Sequence, residues 1–225
     1  MKSELAGMIS VAVLGLALGA TTASADTVTY SDTFGSSGSP LAIPINTTAT
    51  LTKFDTSLGT LTGVQLKLVT NATVTATVYN FGSSPANFSN VIGKTTVTAT
   101  GPNGTTTTNT IMVGPYSGIA APFPPGVVAG TDSGTDSQTT TVLPVNWGAY
   151  QGSGGGTFNV LLGGTTSASG TADQPAAYGA TGTAYGTVSV TYTFTPVPEP
   201  SSLALIGLGL AGGTVSLYRR KVRNG

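Results

Sequence analysis

The chain has 225 residues, eight basic and eight acidic side chains, and neither cysteine nor histidine. That inventory excludes thiol nucleophiles, thiolate metal centres, Ser-His-Asp triads and histidine-based metal sites. Between residues 26 and 198 three lysines face six aspartates, a net charge of −3, so the clustered basic surface that nucleic acid demands is missing and nucleic acid is not an expected partner.

At the N-terminus Lys2 precedes the apolar run LAGMISVAVLGLALGA at 5–20, and ATTASAD follows. Ala23 and Ala25 put small residues at −3 and −1 of a cut ahead of Asp26, the pattern that signal peptidase reads. A signal peptide is expected over 1–25; an uncleaved transmembrane helix is the alternative, because the run approaches spanning length. The exported body lacks disulfides, so its core must hold it, which about 170 residues can do.

Threonine accounts for 41 of the 225 residues, often alternating with apolar side chains in the period-two pattern of half-buried strands. Strands are expected near 28–34, 49–54, 60–69, 71–81, 95–100, 139–143, 157–162 and 186–194. In 71–81 Val74, Ala76, Val78 and Asn80 oppose Thr73, Thr75, Thr77 and Tyr79. GTVSVTYTF at 186–194 sets Val188, Val190, Tyr192 and Phe194 against Thr187, Ser189, Thr191 and Thr193. β-Branched Thr and Val favour the pleated sheet, and Gly, Pro, Asn and Ser clusters punctuate the strands. The expected fold is an all-β antiparallel sandwich of about seven to nine strands over 26–196. A β-solenoid is the rival, but the sequence has no fixed repeat. The Gly/Pro/Thr-rich stretch 101–136 reads as a long, partly mobile surface excursion with a short edge strand near 111–113, since Pro122, Pro124 and Pro125 oppose a central strand.

Candidate chemistry in the body is sparse, and neither a catalytic residue, a metal ligand nor a cofactor is assigned. Asp132-Ser133-Gly134 has the order of an aspartic-protease triplet, but the second copy, Asp136-Ser137-Gln138, follows too closely to form a converging pair. TDSGTDSQ at 131–138 therefore reads as a solvated loop, with calcium chelation by Asp132 and Asp136 as the alternative. Aspartates in Gly/Ser/Thr-rich stretches are expected to bond their own turns, Asp55 across the turn in FDTSLGTL at 54–61 among them. Trp147, the only tryptophan, reads as a core plug with a bonded indole; an exposed sugar-stacking Trp147 beside Tyr150 is the alternative. Asn46, Asn71, Asn87 and Asn103 each begin an N-x-S/T sequon, an accident expected in so threonine-rich a chain.

The chain ends VPEPSSLALIGLGLAGGTVSLYRRKVRNG over 197–225. The uncharged run 203–218, extended by Ser201 and Ser202, gives 18 residues, about 27 Å of helix against a ~30 Å hydrocarbon core. Arg219, Arg220, Lys221 and Arg223 follow and would stay cytoplasmic, with the body outside. Five glycines or serines weaken the run as a permanent anchor, so the expectation is a single transmembrane helix that holds the chain only in transit.

Pro198-Glu199-Pro200, the apolar run and the basic end together resemble the tripartite PEP-CTERM sorting signal of Gram-negative, exopolysaccharide-making bacteria. The resemblance implies an exosortase that reads the triplet and cleaves near it. The body is similar to the choice-of-anchor E domain, through FDTSLGTLTGVQLKL at 54–68 and GTVSVTYTFTPVPEP at 186–200. These resemblances imply a non-enzymatic secreted surface or matrix protein, with signal peptidase, exosortase, a transiently held membrane and exopolysaccharide as partners. A carbohydrate-binding or calcium-dependent adhesion module is the alternative, and a glycosidase with two aspartates across one cleft is a third.

Overall fold

Eight strands of eight residues or more build two facing sheets in the computed structural model, which describes residues 24–197; of three two-residue strands, one joins the first sheet and two pair with each other in parallel. Ala23, the Pro198-Glu199-Pro200 triplet, the run 203–218 and the basic cluster Arg219, Arg220, Lys221 and Arg223 lie outside the described residues; Ala25 is exposed. Among the described residues no helix is long and apolar enough to cross a membrane.

In chain order the strands are β1 (Asp26–Phe34), β2 (Leu41–Ala42), β3 (Ile45–Thr52), β4 (Phe54–Asp55), β5 (Gly59–Asn80), β6 (Ala86–Thr100), β7 (Thr106–Ala120), β8 (Val127–Thr141), β9 (Gln151–Gly152), β10 (Thr157–Ala172) and β11 (Ala176–Pro196). One sheet has the order β1-β11-β5-β8, with β2 also on β11; the other is β3-β10-β6-β7, and all pairs in both are antiparallel. The chain is therefore an antiparallel β-sandwich.

The expected faces are the observed ones. Val64, Leu66, Leu68, Val74, Ala76 and Val78 of β5 point inward and are fully or almost fully buried, as are Val188, Val190 and Tyr192 of β11. Opposite them lie Ala49 and Leu51 of β3, Val97 and Ala99 of β6, and Val160 and Leu162 of β10. Tyr192 donates its hydroxyl to the Thr52 carbonyl at 2.9 Å, and burial pushes its pKa up. A second, smaller cluster of Ala76, Val78, Phe88, Val91 and Ala120 fills the far end.

Two expectations are corrected. The strands placed at 60–69 and 71–81 are one 22-residue strand, β5, because Thr70, Ala72 and Val74 continue the inward phase of Leu66 and Leu68 without a break. More substantially, 101–136 is not a surface excursion. It holds β7 and most of β8, 15 residues each, which form one edge of each sheet. Pro122, Pro124 and Pro125 fall in the turn between them, and Pro115 sits where the β6–β7 register shifts, so no ladder bond is lost to any of the four. Asp132 and Asp136 are accordingly strand residues of β8, not loop residues.

The sandwich has distinct poles. Asp26 pairs with Phe194 and Gly59 with Pro196 at the base, while Ala176 pairs with Asn80 at the tip. The 21 residues of β11 run between the poles, about 65–70 Å at strand rise. Both ends of the described chain are thus at the base.

Candidate functional site

At the base β11 ends two residues before the Pro198-Glu199-Pro200 triplet. Pro196 is still in register with Gly59, and the Val197 N–H donates to the Leu58 carbonyl at 3.2 Å. The triplet starts one residue after the last sheet contact. Asp55 stabilises the adjoining turn: its Oδ1 accepts the N–H groups of Ser57 (2.9 Å) and Gly154 (3.1 Å), as its turn chemistry predicts. The Ser57 N–H is the chief cause that lowers its pKa below the ordinary carboxylate range.

The remaining carboxylates do not converge. Asp132 and Asp136 sit four residues apart on one strand, about 13 Å between Cα atoms. Asp132 Oδ1 accepts its neighbour's N–H from Ser133, and Asp173 accepts Asn87 Nδ2, both at 2.8 Å. Asp136 closes a seam between the sheets. Its Oδ2 accepts the Thr110 N–H of β7 at 2.9 Å, and its Oδ1 accepts the Ser137 N–H at 2.7 Å. The Thr110 bond is the largest cause that holds the Asp136 pKa low. Asn109, fully buried below it, donates Nδ2 toward the carbonyls of Asp136 and Leu68 and to Thr70 Oγ1.

The opposite seam repeats the device. Asp32 of β1 accepts the Thr50 N–H of β3 through Oδ2 and the Thr33 N–H through Oδ1, both at 2.8 Å. Each aspartate occupies the inward phase of an edge strand and engages an edge N–H of the facing sheet, an inward charge that blunts a sheet edge. The sequence carried the signal for Asp32, which interrupts the apolar phase Val28, Tyr30, Phe34 of its strand. Among the described residues no group of three or more Asp, Glu, His or Cys is placed to hold a metal ion.

Trp147 lies in the short 3-10 helix Pro144–Ala149, half-buried against the core, with its indole donating to the Val142 carbonyl at 3.0 Å. Tyr150 beside it is fully buried. The core-plug reading describes this geometry. Trp147 fluorescence is accordingly expected to stay unchanged when oligosaccharide is added; a shift in its emission maximum would restore Trp147 as a sugar platform.

The outer faces are hydroxyl ladders. Cross-strand pairs Thr73–Ser133 and Thr75–Thr131 are hydrogen-bonded at 2.8 Å and Thr29–Thr191 at 2.9 Å on the first sheet, with Thr98–Thr108 at 3.1 Å on the second. Of the sequon asparagines, Asn71 accepts Thr135 Oγ1 at 2.7 Å. Asn46, Asn87 and Asn103 are exposed.

These features define an all-β antiparallel sandwich. Residues 196–221 match the PEP-CTERM protein-sorting motif. That motif implies an exosortase-type processing partner and passage across the membrane to an extracytoplasmic location. No curated protein matches the chain. Among solved structures, a chain of Desmodium yellow mottle tymovirus is 12% identical, covering 89% of this chain and 98% of its own, at a TM-score of 0.20. The infectious bursal disease virus VP2 subviral particle is 15% identical over 79% of this chain and 43% of its own, at 0.21. The T13 particle of that virus is 16% identical over 79% and 40%, also at 0.21, so this chain spans less than half of either chain. At such TM-scores these likenesses carry no conclusion about this chain.

Proposed function

We propose that the chain is a non-enzymatic protein of the cell surface or extracellular matrix. It is exported through Sec, trimmed after Ala25, released from a transient membrane hold by an exosortase-like enzyme, and associated with exopolysaccharide. The observation that carries the sorting half is the junction: the matched segment begins at Pro196, and the Val197–Leu58 bond holds its second residue at the base of the sandwich.

Support for a non-enzymatic body comes from its carboxylates. All six aspartates of the body accept hydrogen bonds from neighbouring groups, Asp26 from the Thr27 N–H at 2.8 Å and the others as described, and none faces another across a cleft. Of the alternative, a carbohydrate-binding or calcium-dependent adhesion module, the bonded Trp147 counts against a sugar platform at that residue and the separated Asp132 and Asp136 count against calcium. The resemblance of the body to the choice-of-anchor E domain belongs to the same proposal.

Expression with and without an exosortase, followed by mass mapping of the mature C-terminus, tests the sorting. Loss of the basic end through Arg223, only when the enzyme is present, is the expected result. Retention of Arg219, Arg220, Lys221 and Arg223 in its presence would defeat the proposal.

A further inference from the structure

The outer face of the first sheet has a regular composition toward the tip. Register puts Tyr185, Asn71 and Thr135 in one row across β11, β5 and β8. Thr183, Thr73 and Ser133 form the next row, and Thr181, Thr75 and Thr131 the third. Gly179 and Thr77 follow, and Tyr79 lies beyond them. No outward position in these rows is charged; Asp132 and Asp136 are on the inward phase of β8, opposite Val74 and Thr70.

Aromatic rings mark both ends. At the lower end Tyr185, Asn71, Thr73, Ser133 and Thr135 line a recess of about 190 Å³, below the size of a drug-sized pocket and suited to a single sugar ring. Asn71 Oδ1 is taken by Thr135, while its Nδ2 has no protein acceptor among the described residues. At the upper end the Tyr79 ring lies against two glycines. A Cβ added at Gly126 or Gly179 would come within 2.6 or 3.0 Å of ring carbons. Phe123 meets Tyr79 edge-on at 5.6 Å and Phe81 at 5.7 Å, yet Phe81 and Phe123 remain 60% and 44% exposed. From Asn71 to Tyr79 the face extends about 26 Å along β5.

A pyranose ring has an apolar C–H face and a rim of hydroxyls that both donate and accept. An aromatic side chain matches the first, and hydroxyl and amide groups match the second. An acidic polymer would want cations, but the nearest outward lysine in register, Lys67, lies two rows below Asn71 and outside this stretch. A lipid surface would want contiguous apolar area, which three rows of threonine and serine interrupt. The face lies at and below the tip, away from the base where Pro196 pairs with Gly59.

We propose that this face, between Tyr185 and Tyr79, is a binding track for an uncharged polysaccharide chain lying along β5. Tyr185 and Tyr79 stack on sugar rings, Phe123 and Phe81 extend the upper platform, and Asn71 with the Thr/Ser rows bonds the hydroxyl rim. The track rests on the exopolysaccharide association proposed above and gives it a location and a ligand class.

The test is calorimetric titration of the full-length chain in detergent micelles with uncharged gluco-, manno- and galacto-oligosaccharides of six units. An acidic uronate oligomer serves as comparison. At least one neutral oligomer is expected to bind. Tyr185→Ala and Tyr79→Ala should each weaken it about ten-fold, Tyr185→Phe should retain it, and Thr96→Ala on the other sheet should leave it unchanged. Binding that ignores both tyrosine variants overturns the track but leaves polysaccharide association standing. Absence of binding across the neutral panel overturns both. Stronger, salt-sensitive binding of the uronate overturns the neutral-ligand assignment, and self-association abolished by Tyr79→Ala without glycan binding gives the face to a second copy instead.

Discussion

Replacing Asn80 by alanine is expected to lower the stability of the fold by about 3 kcal/mol, a large single-residue effect for a polar side chain. Asn80 is fully buried at the tip. Its Nδ2 donates to the carbonyls of Ser84 (2.8 Å) and Ala120 (3.0 Å), and its Oδ1 accepts the Gly82 N–H (2.9 Å). One side chain thereby ties the β5–β6 loop to the end of β7. Its own carbonyl accepts the Phe123 N–H at 2.7 Å, which fixes the β7–β8 turn as well. Alanine would leave two acceptors and one donor without their partner, the Ala120 carbonyl in a buried site. Urea unfolding monitored by circular dichroism gives the number, and a loss below about 1 kcal/mol would show that water takes over the vacated bonds.

Asn80→Asp separates hydrogen bonding from shape. A buried carboxylate facing the Ser84 and Ala120 carbonyls has its pKa raised above the unfolded value of about 3.9. The penalty is then full above the raised pKa and recedes as pH falls through it, because the protonated acid regains one donor. Asn80→Asp is expected to be at least as destabilised as Asn80→Ala at pH 7 and to recover part of the loss on acidification. Either variant should also loosen Phe123 and Phe81, so glycan affinity at Tyr79 falls with stability.

The sandwich was legible where alternation is strict. β5 and β11 together present more than a dozen inward apolar positions in phase, and their sequences announce it. Only the end of β8, 139–141, was read as strand; the rest was illegible because its inward positions include Gly130, Asp132, Gly134 and Asp136. The apolar matter that should mark them belongs to β7: Tyr116 occupies the space over Gly130 and Ile111 that over Gly134. A strand whose core contribution is supplied by its neighbour has no hydrophobic period of its own. The rows of the outer face were hidden for a different reason. Tyr185, Asn71 and Thr135 become neighbours only through the antiparallel register of three strands, which no local pattern encodes. Asp55, by contrast, needed only its own turn to be read.

Opening both seams at once should cost more than any change on the outer faces. Each of Asp32 and Asp136 supplies a charge-assisted bond to an N–H of the facing sheet, worth about 2 kcal/mol when lost. The two lie on opposite edges without shared partners, so Asp32→Ala with Asp136→Ala is expected to be additive, near 4 kcal/mol. Freed edges at β1, β3, β7 and β8 also become templates for other chains, and light scattering should rise in the double variant before it does in either single one. The acid response isolates Asp136. Its folded pKa is depressed by the Thr110 N–H, so its contribution is complete above about pH 5. As pH drops, the unfolded carboxylate takes up its proton first, and the stabilisation drains away until the folded group is protonated too. Asp136→Asn removes that titration. Its stability at pH 7 should be lower than that of the parent chain, and its fall between pH 5 and pH 2 shallower. An unchanged acid limb would mean that the seam does not depend on the Asp136 charge.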